Sequence, residues 1–263
     1  MSTYNSYDQG NNNSQVVYDF TDQRSKGLFL TKVFTKMFIC LLITTVIAAA
    51  FGYGFQTLLI RAAADAELYE SLVITLVVIL IVSVITLLIM SFVLPMMFYR
   101  GKHNIAIPLY IYVSLMGVLL STFTFLVDWV ILVEAFGITT LIFGTMGLLG
   151  YVSKGKMTGI GVILLGLLIG AGLLSLVNWI MILVRGYTGT TIMISWIVSL
   201  MIFAFLMFAT MYDVYRIKQI AERGSNQDNN LVNYCAYILY SDFIAILVRV
   251  IYFLAIIFGK SKK

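Results

Sequence analysis

Charged residues are scarce in this sequence. Only 11% of its 263 residues are Asp, Glu, Lys or Arg, whereas 61% are apolar. Soluble domains contain about 25% charged and about 45–50% apolar residues, so a chain of this length could not cover itself with a water-facing surface. The composition excludes a cytosolic enzyme and a nucleic-acid-binding module, and it indicates a polytopic membrane protein.

Cysteine and histidine are also nearly missing. Cys40 and Cys235 lie in or beside apolar segments, with neither metal-ligand spacing nor a disulfide pattern, and the single histidine, His103, cannot form a cluster. The sequence contains no Ser-His-Asp or Cys-His set and no phosphate-binding glycine motif. We therefore predict that the protein is not an enzyme and that it has no catalytic residue, no bound cofactor and no certain metal site.

Long apolar runs make up most of the chain. A helix needs about 20 predominantly apolar residues to cross about 30 Å of hydrocarbon, and these runs are too long for barrel strands and lack their alternation. The sequence therefore predicts an all-α membrane protein with seven transmembrane helices. The predicted spans are residues 33–55, 72–99, 105–127, 129–152, 160–184, 192–215 and 231–258.

Basic residues between the spans predict the orientation, because cytoplasmic loops carry an excess of Lys and Arg. One alternating set holds Arg24, Lys26, Lys32, Lys36, Arg100, Lys102, Lys154, Lys156, Arg216, Lys218 and Arg223. The opposite set holds Arg61, Arg185, Lys260, Lys262 and Lys263. We predict a cytoplasmic N-terminus and an external C-terminus, although the three C-terminal lysines oppose the second assignment.

The first residues differ from the rest in being polar. They are rich in Asn, Ser and Tyr, a composition typical of disorder. We therefore predict a disordered cytoplasmic tail over residues 1–28 and one seven-helix transmembrane domain over residues 29–263.

Ionisable side chains inside the spans mark candidate functional sites, because each costs at least about 2.5–3.5 kcal/mol to insert. Asp213 lies near the cytoplasmic end of the sixth span, and Asp242 lies about a third of the way into the seventh. Both belong to the same half of the membrane. If the two carboxylates meet, they titrate as a unit, and the pair predicts a proton sensor or a cation site.

Structural alternatives remain open for both aspartates. Asp213 could reach the headgroup region and pair with Arg216 or Lys218. Asp242 could be a buried carboxylate that accepts hydrogen bonds from neighbouring Tyr or Ser side chains.

Two further ionisable residues have matching depths. Arg249 follows Asp242 by seven residues and lies about 10 Å nearer the outer side, and Glu134 lies about 9 Å inside the outer end of the fourth span, at about 1.5 Å per residue. These depths predict an interhelical ion pair, either structural or part of an outer gate. Asp128, at a helix junction, is predicted to cap the fourth transmembrane helix. The spacing of Gly166 and Gly170 predicts a close helix–helix approach.

Several segments resemble one known family. They are residues 29–34, 41–44, 134–140, 143–144, 150–151 and 176–178, the pair Tyr212-Asp213, and residues 239–244 with Tyr240, Ser241 and Asp242. On these residues the chain resembles the Bax inhibitor-1 (TMBIM) family of seven-span membrane proteins, in a bacterial form. The likeness covers residues 29–258.

The resemblance implies both an architecture and a function. It implies a six-helix shell around a central seventh, C-terminal helix. It also implies that paired aspartates, here Asp213 and Asp242, act as a pH-sensitive switch for a calcium leak, with calcium as the permeant ion.

The sequence departs from the family pattern at a few positions. Val214 and Tyr215 replace the usual Thr-Gln, and Ser241 replaces an apolar residue. Some bacterial members hold the deeper aspartate with a basic residue of the second helix, but residues 72–99 contain no Lys or Arg. Arg249 could replace it only by bending back toward Asp242.

Two main function hypotheses follow. The first is a pH-gated calcium (cation) leak channel in a bacterial plasma membrane, with the lipid bilayer, calcium and protons as its partners and no nucleic acid. The second is a non-conducting regulator that binds another membrane protein, such as a membrane protease or a cell-death factor, through the N-terminal tail. An ion-coupled transporter is a weaker third, because no inverted repeat is apparent.

Overall fold

The described part of the chain is a bundle of helices. A computed structural model describes residues 23–101, 104–153, 158–222 and 229–259, and this part contains no β-strand. Its helices are α1 (Gln23–Ala62), α2 (Ala66–Arg100), α3 (Ala106–Leu120), α4 (Phe123–Leu126), α5 (Trp129–Val152), α6 (Thr158–Arg185), α7 (Gly189–Glu222) and α8 (Asn229–Gly259).

The described residues contain seven helical segments that are long and apolar enough to cross a membrane, which confirms the predicted number of spans. The predicted fourth span coincides with α5, and α3 and α4 together form the third. Helix α1 begins at Gln23, before the predicted end of the tail, and residues 1–22 lie outside the described residues. So do several residues used for the orientation: Lys102, Lys154, Lys156, Arg223, Lys260, Lys262 and Lys263.

The third span is broken between α3 and α4. Three successive hydroxyl groups donate to carbonyls three residues earlier: Ser121 Oγ to Val118 O at 2.6 Å, Thr122 Oγ1 to Leu119 O at 2.8 Å and Thr124 Oγ1 to Ser121 O at 2.6 Å. Hydroxyl groups that bond backbone carbonyls compete with the helical hydrogen-bond ladder. This cluster therefore accounts for the local break.

Helix α8 lies at the centre of the bundle. It packs against α1, α2, α3, α5 and α7, and the side chains of Tyr240 and Ile246 are fully buried. In the described chain the principal partner of α6 is α7, so α6 forms an outer layer behind α7 rather than a direct neighbour of α8. The C-terminal helix is thus central, as expected, and five other spans contact it directly.

A buried hydrogen bond fixes the position of α8 against α1. The hydroxyl groups of Tyr240 and Thr44 are 2.6 Å apart, and Thr44 also donates to the carbonyl of Val113 in α3 at 3.3 Å. Both side chains are buried. The polar groups of this triple contact therefore satisfy one another, as buried polar groups must in an apolar interior.

The closest helix approaches lie away from the predicted glycine pair. A Cβ atom at Gly166 would have no neighbour within 4 Å, and one at Gly170 would meet only the flexible end of Met201, at 3.3 Å. By contrast, a Cβ atom at Gly150 of α5 would overlap the backbone oxygen of Met211 in α7. The prediction for Gly166 was therefore wrong, because that residue faces away from α7.

Helices α2 and α6 expose most of their apolar side chains. In each of these two helices, only 11% of the most apolar 18-residue stretch is buried inside the protein. In a bilayer the hydrocarbon solvates such side chains, so these faces are suited to contact lipid.

Candidate functional site

Helices α7 and α8 bring the two predicted aspartates together. The rings of Phe203 in α7 and Phe253 in α8 have centroids 5.5 Å apart, in an edge-to-face contact. Asp213 follows Phe203 by ten residues, about 15 Å along α7, and Asp242 precedes Phe253 by eleven, about 16 Å along α8. Since the chain directions are opposite, the two aspartates lie at nearly the same level along this helix pair, where Asp213 is a charged neighbour of Asp242.

The carboxylate of Asp242 is the more buried of the two. Among the described residues its buried Oδ2 atom has no hydrogen-bond partner, and Asp213 is a charged neighbour that acts on it electrostatically. Arg249 lies seven residues further along the same continuous helix, about 10 Å away, so it does not take the place of the basic residue missing from the second span. Among the described residues no Tyr or Ser hydroxyl donates to Oδ2, so the structural alternative for Asp242 can apply only to its Oδ1 atom.

The carboxylate of Asp213 faces a more open region. Asp213 is half-buried and lines a groove of about 370 Å³ between α6 and α7, together with Tyr212. Arg216 acts on Asp213 electrostatically, but no direct ion pair joins them in the described residues. The Arg216 guanidinium instead lies over the Tyr212 ring, 5.8 Å from its centroid. Asp213 therefore connects the buried Asp242 with the groove.

Lys218, which was one of two alternative partners for Asp213, binds the end of α5 instead. Its Nζ atom donates to the carbonyl oxygens of Tyr151, at 2.7 Å, and Ser153, at 3.3 Å. These carbonyls end α5 and lack intrahelical partners, and a cation is favourable at a helix C-terminus. Lys218 thus ties α7 to the end of α5 and does not pair with Asp213.

Cys235 belongs to this neighbourhood, although its sequence context indicated neither a metal ligand nor a disulfide. It precedes Asp242 by seven residues, on the same face of α8, and its side chain is fully buried. Both Asp213 and Arg216 act on its thiol electrostatically. The seven-residue spacing was the signal that could have identified it.

The site offers few ligands to a metal ion. The described residues contain no group of three or more His, Cys, Asp or Glu side chains that could hold one. Calcium usually takes six to eight oxygen ligands, and two carboxylates supply at most four. The arrangement is chemically suited to a proton or to a cation that passes through with part of its water shell, rather than to a stored ion.

The predicted ion pair between Glu134 and Arg249 is not present in the described part of the chain. The buried stripe of α5 runs through Ala135, Thr139 and Phe143, and Glu134 points about 100° away from Ala135 because each helical residue rotates by that angle. Its side chain is exposed, whereas Arg249 is half-buried on α8. Equal depth was therefore not enough to bring the two charges together.

Asp128 occupies the predicted capping position without the expected capping bond. It is the residue before α5, but its side chain accepts no capping hydrogen bond from that helix. Asp65 does cap α2, with Oδ1 accepting from the backbone N–H groups of Glu67 at 3.1 Å and Leu68 at 3.3 Å.

Comparison with known proteins agrees with this architecture. A sequence profile described as "Inhibitor of apoptosis-promoting Bax1" matches residues 27–260. The chain is 29% identical over 211 residues to the inner membrane protein YbhL of Escherichia coli (strain K12), a match that covers 76% of this chain and 86% of the relative. YbhL of Escherichia coli O6:H1 matches to the same extent. The chain is an integral membrane protein that belongs to the Bax inhibitor-1 family.

Proposed function

We propose that this protein is a pH-sensitive cation leak channel for calcium, in which Asp213 and Asp242 form the proton sensor. The observation that carries the proposal is the buried Oδ2 atom of Asp242, which has no hydrogen-bond partner in the described part of the chain and has a second carboxylate as its charged neighbour. We place the protein in a bacterial plasma membrane with its N-terminus in the cytoplasm.

The cost of burying this carboxylate supports a functional role. An acidic side chain inside a membrane span is expensive and marks an ion or proton pathway by default. Buried polar atoms are nearly always hydrogen-bonded, so an orphaned one calls for an explanation. A proton shared by the two aspartates, or a cation held between them, would satisfy Oδ2.

The protonation of the two carboxylates determines whether the site attracts a cation. With both carboxylates ionised, the pair carries two negative charges and attracts a divalent cation. With one or two protons bound, that attraction is weakened or lost. The groove beside Asp213 gives the pair a lateral opening between α6 and α7, so protons and cations compete for one place.

This competition leads to a specific prediction for the wild-type protein. Because calcium binds the deprotonated pair, we expect the calcium concentration that gives half-maximal flux to rise as pH falls through the range about 5.5–8. The measurement is uptake of calcium into proteoliposomes that contain a calcium-sensitive dye, with protein-free liposomes as the control.

The same assay can contradict the proposal. A wild-type flux no greater than that of protein-free liposomes would reject the leak. A clear flux with a half-saturating calcium concentration that does not change with pH would reject the proton sensor. An absence of flux would favour the second hypothesis, a regulator that binds another membrane protein through the N-terminal tail.

A further inference from the structure

Two connected cavities lie on the opposite face of α8 from the aspartates. The first, which we call the apolar chamber, has a volume of about 270 Å³ and lies among α1, α3, α4, α5 and α8. Helix α8 lines it with Ile244, Leu247 and Ile251. At 100° per residue, these side chains point about 140–200° away from Asp242, so the chamber is separate from the aspartate site.

The second cavity, which we call the outer vestibule, continues the chamber toward the end of the bundle where α1 ends and α5 begins. Its volume is about 560 Å³. The two cavities share four lining residues: Ala49, Thr124, Trp129 and Leu132. Together they fall in the range of about 300–1,000 Å³ that is typical of ligand sites. The vestibule opens at the opposite end of the bundle from the aspartate pair.

The two cavities differ in chemistry. The chamber is lined by apolar side chains and three threonines, without a charged residue among them. The vestibule adds Asp128, which is the charged residue in its lining, and the aromatic side chains of Tyr53 and Trp129. A carboxylate and aromatic rings at the mouth of an apolar cavity provide the two features that attract an ammonium ion, opposite charge and a π-face.

We propose that the apolar chamber and the outer vestibule together form a binding site for a small organic ammonium ion with an apolar substituent. The substituent occupies the chamber, and the ammonium group lies in the vestibule near Asp128 and Trp129. A phospholipid fits less well, because neither lining contains a Lys or Arg to pair with its phosphate. This proposal does not depend on the proposed calcium leak.

Trp129 provides a direct reporter, because it lines both cavities. The experiment uses the full chain with Trp179→Phe and Trp196→Phe, so that Trp129 is the remaining tryptophan, in phosphatidylcholine nanodiscs. The probe is benzyltrimethylammonium, and its uncharged isostere neopentylbenzene is the control ligand. We expect a saturable change in Trp129 fluorescence with the cation that weakens at high salt.

Two variants test the two parts of the site separately. Ala49 lines both cavities. The larger side chain of Ala49→Leu would occupy space in them, and we expect this variant to abolish saturable binding. Asp128→Asn removes the charge, and we expect about three- to fivefold weaker binding, the size of an exposed ionic contact. Ala50→Leu adds the same volume at the neighbouring exposed residue of α1, and we expect it to leave the affinity unchanged.

Several results would overturn the proposal. The first is a fluorescence signal that grows linearly with the probe concentration, as expected for partition into lipid. The second is an equal affinity for neopentylbenzene, and the third is an affinity that Ala49→Leu leaves unchanged. A thermal unfolding temperature of Ala49→Leu equal to that of the wild type in the same nanodiscs would show that loss of binding is not loss of the fold.

Discussion

Replacement of Asp242 by Asn is expected to abolish the pH dependence of calcium flux. In the wild type we expect flux at a fixed, subsaturating calcium concentration to rise by at least about tenfold from pH 5.5 to 8, because below the pKa each pH unit raises the deprotonated fraction by up to about tenfold. Asn cannot gain or lose a proton in this range. The expected result is a flux that is nearly constant with pH, measured by calcium uptake into proteoliposomes.

The stability of Asp242→Asn separates a functional role from a structural one. The Oδ2 atom of Asp242 has no hydrogen-bond partner to lose, and an amide is less costly than a carboxylate in an apolar interior. We therefore expect the thermal unfolding temperature of the variant to equal or exceed that of the wild type. A carboxylate kept only for stability would give a lower temperature.

Glu134→Gln is the matched control for this prediction. It also neutralises an acidic residue inside a membrane span, but the side chain of Glu134 is exposed, whereas the Oδ2 atom of Asp242 is buried. We expect its flux to follow the wild-type pH dependence. If Glu134→Gln and Asp242→Asn changed the profile equally, the assignment of the sensor to the aspartate pair would be wrong.

Replacement of Gly150 by Ala is expected to destabilise the protein strongly. The added Cβ atom would overlap the backbone oxygen of Met211 and lie 3.2 Å from Cβ of Val214. A backbone atom cannot move as a side chain can, so α5 and α7 must separate. We expect a loss of about 1–3 kcal/mol, the usual cost of overpacking, observed as a lower thermal unfolding temperature in a fixed detergent.

Gly144→Ala, in the same helix, provides the control. A Cβ atom at Gly144 would have no neighbour within 4 Å, and Ala is favoured over Gly in a helix interior by roughly 0.5–1 kcal/mol. We expect this variant to be as stable as the wild type or more so. Equal stability of the Gly150 and Gly144 variants would contradict the close contact between α5 and α7.

The Gly150 contact also bears on the aspartate site. Met211 and Val214 flank Asp213 in α7, so a shift of α7 at this point moves the carboxylate relative to Asp242. A destabilised Gly150→Ala protein that still folds should therefore show altered pH dependence.

The sequence predicted how deep a residue lies in the membrane better than it predicted which way its side chain points around the helix axis. Apolar runs of about 20 residues define spans directly, and the predicted fourth span coincides with Trp129–Val152. The insertion cost of a charged side chain likewise singled out Asp213 and Asp242 without a structure. Both arguments need only distance along a helix, which is fixed at about 1.5 Å per residue.

The predictions that failed needed the rotation of each helix, which packing determines. Glu134 and Arg249 were placed at the same depth, but Glu134 faces outward. Gly166 and Gly170 have the spacing of a contact motif, whereas Gly150 has the close contact. The chamber was not predicted, because residues far apart in sequence, such as Thr44, Leu132 and Ile244, line it together.

The most direct test of the aspartate pair is calcium flux as a function of pH in four proteins: the wild type, Asp213→Asn, Asp242→Asn and the double variant. Groups that act as one unit give non-additive effects. We predict that each single variant loses the pH dependence and that the double variant behaves as either single one does. Additive changes in the double variant, or a single variant that keeps the wild-type profile, would contradict a shared proton and cation site.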